Sequence, residues 1–205
     1  MKKIIALCVV AIVAASLSFN ADARRFGVKA GVNVMDLNVE FVESKGVLGY
    51  QAGLSWQFDL PLGFAIQPDI MYHVKATKFE GIDETLGFGY VEVPLNLQWG
   101  LRFADKKVRL FAQASPFVGY AVTQIGNTED YVGGKNGNKW ENVNRLAYGA
   151  GLGAGLQLGF LQLTATYNWD FGNSLKGETF ESLFNKSNFS GYTISLAIMF
   201  GKKKK

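Results

Sequence analysis

The side chains in this sequence that could do chemistry are few, and the most reactive of them is the single histidine, His73. A histidine acts as a general base when a carboxylate orients its ring and a nucleophile lies within hydrogen-bond reach. Asp69 precedes it by four residues, which span about 13 Å in an extended chain, too far for direct orientation. Ser115 and Ser195 lie on distant segments. We therefore expect no catalytic residue and interpret His73 as a hydrogen-bonded polar residue.

Six further charged residues occur singly among apolar and small neighbours, and their signs balance. The cations are Lys29, Arg109 and Arg145, and the anions are Asp69, Glu92 and Asp170. Charges withdrawn from water must pair in order to offset their desolvation. Together with His73 they predict an interior network of ion pairs and hydrogen bonds. The sequence offers no cluster of metal ligands and no phosphate-binding loop, so we expect no metal and no cofactor.

The segment that determines which way these side chains point runs from Leu48 to Val74. Every second residue is apolar over positions 48–58 and again over 64–74, and a turn containing Pro61 separates the two runs. This two-residue period is typical of β-strands with one apolar and one polar face. The segment therefore predicts a β-hairpin.

The same period recurs along the chain and predicts eight strands. Their ranges are 25–37, 48–59, 64–75, 90–100, 108–122, 146–157, 161–171 and 191–200. The links between them alternate long and short, with polar links over 36–46 and 76–88. This pattern predicts an all-β protein: an eight-stranded antiparallel up-and-down transmembrane β-barrel with short periplasmic turns and long extracellular loops. In the fifth strand the inward Phe111 and Phe117 leave a one-residue register shift open.

Aromatic residues at the strand ends predict two girdles around an aliphatic band, one at each membrane interface. The girdle near the short turns contains Phe58, Phe64, Trp99 and Phe200, and the other contains Tyr50, Tyr72, Tyr148, Tyr167, Trp169 and Tyr192. A soluble barrel would instead bury the apolar face. The other face is rich in Gly, Ser, Gln and Asn rather than in Lys and Glu, which favours the membrane arrangement.

The chain begins with the pattern of a secretory signal peptide over residues 1–23: two lysines, an apolar run and an A-x-A cleavage site. We expect residues 24–200 to form the barrel and 201–205 a basic tail. The only cysteine, Cys8, falls in the signal peptide, so disulfides and thiol catalysis are excluded from the mature chain. Four terminal lysines account for the net charge of +4, so we expect no nucleic-acid partner.

Two internal motifs, QPDIMYHVKA (67–76) and YVEVPLNL (90–97), resemble paired segments of the PorT-like outer-membrane β-barrel domain of Bacteroidetes, a group of small "porin family" or OmpX-like barrels. The final YTISLAIMF (192–200) is similar to the closing strand of that family. The resemblance implies an eight-stranded barrel inserted by the outer-membrane assembly machinery, with Phe200 in the terminal recognition strand. The sequence departs from the pattern at His73-Val74-Lys75 and in the lysines that follow Phe200.

The sequence predicts an integral outer-membrane protein with a plugged polar lumen and no catalytic activity, because eight strands leave room only for their own side chains or one small ligand. Its partners would be membrane lipid and an unidentified protein or glycan at the loops, where Tyr131 and Trp140 are candidate contacts. The runner-up is a narrow porin-like channel for small polar solutes, aided by a glycine-lined wall over 149–155. A lipid A-modifying barrel enzyme is a remote alternative.

Overall fold

The computed structural model describes residues 24–38, 44–79, 85–103, 107–126, 144–172 and 188–201. These residues form eight strands in chain order. The strands are β1 Arg24–Asn38, β2 Ser44–Asp59, β3 Phe64–Phe79, β4 Thr85–Phe103, β5 Val108–Gly126, β6 Leu146–Leu158, β7 Leu161–Asp170 and β8 Asn188–Gly201. Each strand pairs antiparallel with the next, and β8 pairs with β1, so the sheet closes into an up-and-down barrel. The predicted fold class is confirmed.

Three short turns lie at one end of the barrel, which we call the short-turn end; the opposite end is the long-link end. The β2–β3 turn is a single 3-10 turn over Pro61–Gly63, and a two-residue turn joins β6 to β7. Gly63 and Gly159 have φ of 83° and 61°. L-residues rarely adopt this left-handed conformation and glycine does so freely, which explains their position in tight reversals.

Strands β2, β3 and β4 extend further toward the long-link end than the sequence pattern predicted. β3 continues to Phe79 and β4 begins at Thr85, so the polar links expected over 36–46 and 76–88 were drawn too long. The reason is that ladder hydrogen bonding continues beyond the alternating apolar stripe: Ala76 pairs with Gly87, and the ring of Phe88 is fully buried. With 19 residues, β4 exceeds the 9–11 or so that a tilted strand needs to cross a bilayer.

The barrel is apolar outside and polar inside. Along β8 the exposed side chains are Tyr192, Ile194, Leu196, Ile198 and Phe200, and the intervening residues are buried. The buried polar and charged residues come from all of β1 to β8. This arrangement contradicts the soluble-barrel alternative, in which the apolar face would line the interior.

The register of β5 places Phe111 and Phe117 inside, and the shift that the β4–β5 ladder does contain lies beyond them, at Val122 opposite Gly89 and Tyr90. Phe111 pairs with Gly155 and Phe117 with Gly149 across the β5–β6 ladder. A Cβ on Gly149 would lie 2.6 Å from Cζ of Phe117, and one on Gly155 would collide with the Phe111 ring. The glycines of β6 therefore provide the space that the two inward rings fill, and the glycine-lined wall does not border an open passage at these two positions.

Candidate functional site

The polar lumen is the one region of the described barrel where charged groups converge, and it is organised in three layers along the barrel axis. The middle layer centres on Asp69, which is completely buried. Lys29 Nζ donates to Asp69 Oδ2 at 2.9 Å, and Asn96 Nδ2 donates to the same oxygen at 2.8 Å. Gln67 Nε2 donates to the other oxygen at 3.2 Å. One charge partner and two amides thus satisfy this carboxylate.

The long-link layer consists of His73, Lys75, Glu92 and Asp170. Lys75 Nζ donates to both carboxylate oxygens of Asp170, at 2.9 and 2.8 Å, and lies 2.7 Å from Glu92 Oε1. Lys75 is on β3 and Asp170 on β7, which are four strands apart in a closed barrel of eight and so lie opposite each other. The Lys75 side chain is therefore a brace across the lumen, and it is fully buried.

Aromatic rings and a histidine complete this layer. The Lys75 ammonium lies 4.9 Å from the centroid of Phe117 and 5.1 Å from that of Tyr90, distances at which a ring face attracts a cation. His73 Nδ1 hydrogen-bonds Glu92 Oε2 at 2.8 Å. Glu92 thus uses one oxygen for the histidine and the other for the lysine.

The short-turn layer consists of Arg25, Asp59, Arg102, Arg109 and Gln98. Arg25 and Arg102 both form ion pairs with Asp59, at 3.1 and 2.9 Å. Arg109 Nη1 donates to Gln98 Oε1 at 2.7 Å, and its guanidinium lies over the Phe111 ring. Asp59 is the only carboxylate that the described residues contribute to this layer.

A cavity of about 40 Å³ lies in the lumen, bordered by His73, Glu92, Ser115 and Ser195 among others. One water molecule needs roughly 10–15 Å³ of such space, so the cavity has room for about three water molecules. His73 Nε2 is buried and has no hydrogen-bond partner. Among the described residues, the lumen beside His73 therefore contains a small polar cavity.

A comparison with known families bears on what such a barrel is. A family model described as "Outer membrane protein beta-barrel domain" matches residues 16–176, well over half of the chain. The chain belongs to this family. Membership implies the bacterial outer membrane as its location. Comparison with curated proteins finds no match.

Solved structures share the fold of this outer-membrane barrel at low sequence identity. OprG from Pseudomonas aeruginosa aligns with a TM-score of 0.50 and 9% identity, covering 88% of this chain and 97% of that one. Neisserial surface protein A gives 0.49 and 9%, with 85% and 97% covered. The outer membrane enzyme PagL gives 0.49 and 17%, with 84% and 98% covered. At 9% identity the likeness to OprG shows the fold alone.

Of the seven residues predicted to form the lumen network, six lie in the layers just described: Lys29, Asp69, His73, Glu92, Arg109 and Asp170. The contacts of the seventh, Arg145, lie outside these layers. It directly precedes β6, which begins at Leu146. Its Nε donates to the Ala121 carbonyl at 2.9 Å, and its guanidinium lies 4.3 Å from the outward-facing Tyr120 ring.

The structure also assembles residues that were not predicted as members of the network. They are Lys75, Arg25, Asp59 and Arg102. Arg25 and Asp59 occupy inward positions by strand parity, so the parity rule could have found them. Arg102 lies between the predicted strands 90–100 and 108–122, and Lys75 is the last residue of the predicted strand 64–75.

The predicted girdle residues lie on the outward face, with one correction. Phe64, Trp99, Phe200, Tyr50, Tyr148, Trp169 and Tyr192 are exposed. Tyr72 and Tyr167 are half-buried, because each contacts a neighbouring tyrosine, Tyr50 and Tyr192 respectively. Phe58 is only 7% exposed, since it lies in a recess lined also by Phe26, Trp56 and Phe200, so it contributes little to the lipid-facing surface.

Several predictions fall outside the described residues: the loop aromatics Tyr131 and Trp140, the signal peptide over 1–23 and the lysines of the tail. Within the described ranges, no group of three or more His, Cys, Asp or Glu side chains could hold a metal ion. None of the helices in those ranges is long and apolar enough to cross a membrane.

Proposed function

We propose that this chain is a non-catalytic outer-membrane barrel with a plugged lumen, acting through its long links or a partner complex. The observation that supports this is the Lys75 brace, which joins opposite walls of the barrel through Glu92 and Asp170. The two inward phenylalanines and Asp69 of the middle layer are also buried, and the cavity beside His73 is only about 40 Å³. A closed barrel of eight strands is small enough for its own side chains to fill it.

Single-channel recording in planar bilayers tests the plugged lumen. The proposal expects no steady conductance from the wild-type barrel. Steady openings that survive deletion of residues 127–143 would contradict it, because such openings could not be assigned to the loop.

The second candidate is a narrow channel for small polar solutes. The observation that favours it is the polar cavity, which already lies between the middle and long-link layers and contains the unpartnered His73 Nε2. In this case the Lys75 ion pairs would break and reform as the channel opens and closes. Conductance would then appear in the wild type and rise in Lys75→Ala.

One contact of His73 favours the enzyme alternative, but the cavity beside it is too small for a lipid substrate. His73 has the carboxylate partner that a general base requires, and Ser115 and Ser195 border the same cavity. A cavity of about 40 Å³ cannot accept an acyl chain, however, and His73 is only 4% exposed. Lipid A analysis of cells carrying His73→Ala tests this alternative, and a changed acylation pattern would revive it.

In this proposal the chain is exported by the signal peptide over 1–23 and inserted by the outer-membrane assembly machinery, with the short turns on the periplasmic side. It belongs to the PorT-like barrels of Bacteroidetes, as the motifs over 67–76 and 90–97 suggest. Tyr131 and Trp140 are the proposed contacts for a protein or glycan.

Crosslinking and affinity capture from native membranes tests the interaction role. A partner captured by the wild type and lost with a Tyr131→Ser and Trp140→Ser double variant would support it. Capture that is the same with both chains would rule out these aromatics as the contact.

A further inference from the structure

The short-turn layer has more positive charge than its own carboxylate balances. Arg25, Arg102 and Arg109 contribute three cationic groups, and Asp59 is the single anion, so the described side chains of this layer sum to +2. Arg25 and Arg102 share Asp59, and Arg109 is the ladder partner of Arg102 between β4 and β5. The three guanidiniums therefore belong to one cluster.

The other two layers are not built this way. In the middle layer Lys29 faces Asp69, and in the long-link layer Lys75 faces both Glu92 and Asp170. Their cations are matched or outnumbered by carboxylates. The surplus of positive charge is a local property of the short-turn end.

Donor atoms in the arginine cluster also lack partners. Nε and Nη1 of Arg25 and Nε of Arg109 are buried and make no hydrogen bond, and the two side chains belong to residues that are only 3% and 2% exposed. A guanidinium donates and never accepts, so each of these nitrogens requires an acceptor. Buried, unpaired cationic donors are costly, and an anion rich in acceptor oxygens would satisfy them.

The surroundings of Arg25 offer two sources for such an anion. The side chain of Arg102 is 22% exposed, which gives the cluster an opening toward the surface at this end. Arg25 also borders an external recess of about 460 Å³ that is lined with Phe26, Trp56, Phe58, Phe200 and Gly201. An aromatic recess beside a cationic group suits an amphiphile that carries a phosphate.

We propose that Arg25, Arg102 and Arg109 form a binding site for a phosphate-class oxyanion, supplied either as free phosphate or as the headgroup of a membrane lipid. Arginine suits this ligand because its planar fork donates two parallel hydrogen bonds to phosphate oxygens. Asp59 competes with the ligand for Arg25 and Arg102, and it holds the cluster together when the ligand is absent. The site lies at the opposite end of the barrel from the loop contacts proposed above.

The experiment uses the folded chain in dodecyl maltoside, a detergent without phosphate. In one arm, inorganic phosphate is titrated calorimetrically at constant ionic strength, with chloride as the reference anion. In the other arm, native mass spectrometry counts phosphatidylglycerol retained from mixed micelles, with an uncharged diacylglycerol as the reference lipid. Saturable binding in the first arm assigns the site to free phosphate, and specific retention in the second assigns it to a lipid headgroup.

The two variants of the cluster are expected to change the binding affinity in opposite directions. Arg25→Gln removes a charge-assisted donor and is expected to weaken binding about tenfold or more, whereas Asp59→Asn frees two arginines and is expected to tighten it by a similar factor. Arg145→Gln removes an arginine outside the cluster and is the matched control, with no expected change. Tighter binding by Asp59→Asn cannot result from misfolding, so it keeps the test decisive if Arg25→Gln folds poorly. No saturable binding by the wild type in either arm, or equal binding by all three variants, would overturn the proposal.

Discussion

The two ends of the lumen solve the problem of buried charge in different ways. At the long-link end one lysine lies between two carboxylates on different strands, and every cationic group has an ionic partner. At the short-turn end two arginines share one carboxylate and a third lies next to them, and three of their N–H-bearing nitrogens have no partner. In the first arrangement the charges are balanced within the chain, and this balance serves to close the barrel; in the second, buried cationic donors are left for a further acceptor. Closure and binding are thus assigned to opposite ends of one small barrel.

The largest expected effect comes from removing the brace. Lys75→Met leaves Glu92 and Asp170 buried without their cation, and breaking a buried pair in this way costs about 3–5 kcal/mol. Urea unfolding of the barrel in lipid vesicles measures the loss, with the exposed Lys107→Met as the control. If the triple change Lys75→Met, Glu92→Gln and Asp170→Asn is as unstable as Lys75→Met alone, uncompensated charge is not the cause.

The second largest expected effect comes from truncating Phe117, whose ring lies beside Lys75. Phe117→Ala empties the space against Gly149 and is expected to cost about 3 kcal/mol, as for other buried aromatic truncations. It also enlarges the lumen cavity, so small ion currents should appear in planar bilayers. Phe160→Ala, at an exposed turn position, is the control. If the Phe117→Ala barrel conducts no current and is as stable as the wild type, the Phe117 ring is not part of the plug.

The middle layer should tolerate the loss of its cation better than the long-link layer does. Lys29→Met leaves Asp69 with the amide donors of Asn96 and Gln67, so we expect a loss of about 1–3 kcal/mol in the same unfolding assay. A loss equal to that of Lys75→Met would mean that the cross-barrel geometry of the brace adds nothing.

The smallest effect belongs to Arg145, which the sequence pattern assigned to the lumen. Because Arg145 donates to the Ala121 carbonyl and lies beside the outward Tyr120 ring, Arg145→Gln should cost less than about 1 kcal/mol. A cost comparable to that of Lys29→Met would return this residue to the interior network.

Alternation was enough to predict the eight strands and the face of nearly every side chain, because a strand has a period of two whatever its neighbours are. It did not predict which inward residues meet. His73 finds Glu92 on the adjacent strand rather than Asp69 on its own, and Lys75 finds Asp170 on the opposite wall. These pairings depend on the stagger of the ladders and the tilt of the strands, which a single strand's sequence does not carry.

The differences between the predicted and the observed network lie at strand ends. Arg145 lies just before β6, and Arg102 lies inside β4 where a turn was expected. Strand ends are the least certain part of a pattern-based assignment, and a shift of one residue there exchanges inside for outside. Arg102 was missing from the predicted network for this reason, whereas the inward parity of Arg25 and Asp59 could have placed them in it.

Chemical labelling tests the closed lumen most directly, because the only native cysteine is Cys8, in the predicted signal peptide. A Ser195→Cys change places a thiol on the lumen cavity, where the native side chain is 4% exposed, and Lys107→Cys places one on an exposed turn. The account predicts that a water-soluble maleimide labels the second thiol within minutes, and the first only after Lys75→Met is added or the barrel is unfolded. Rapid labelling of Ser195→Cys in the otherwise native, folded barrel would contradict it.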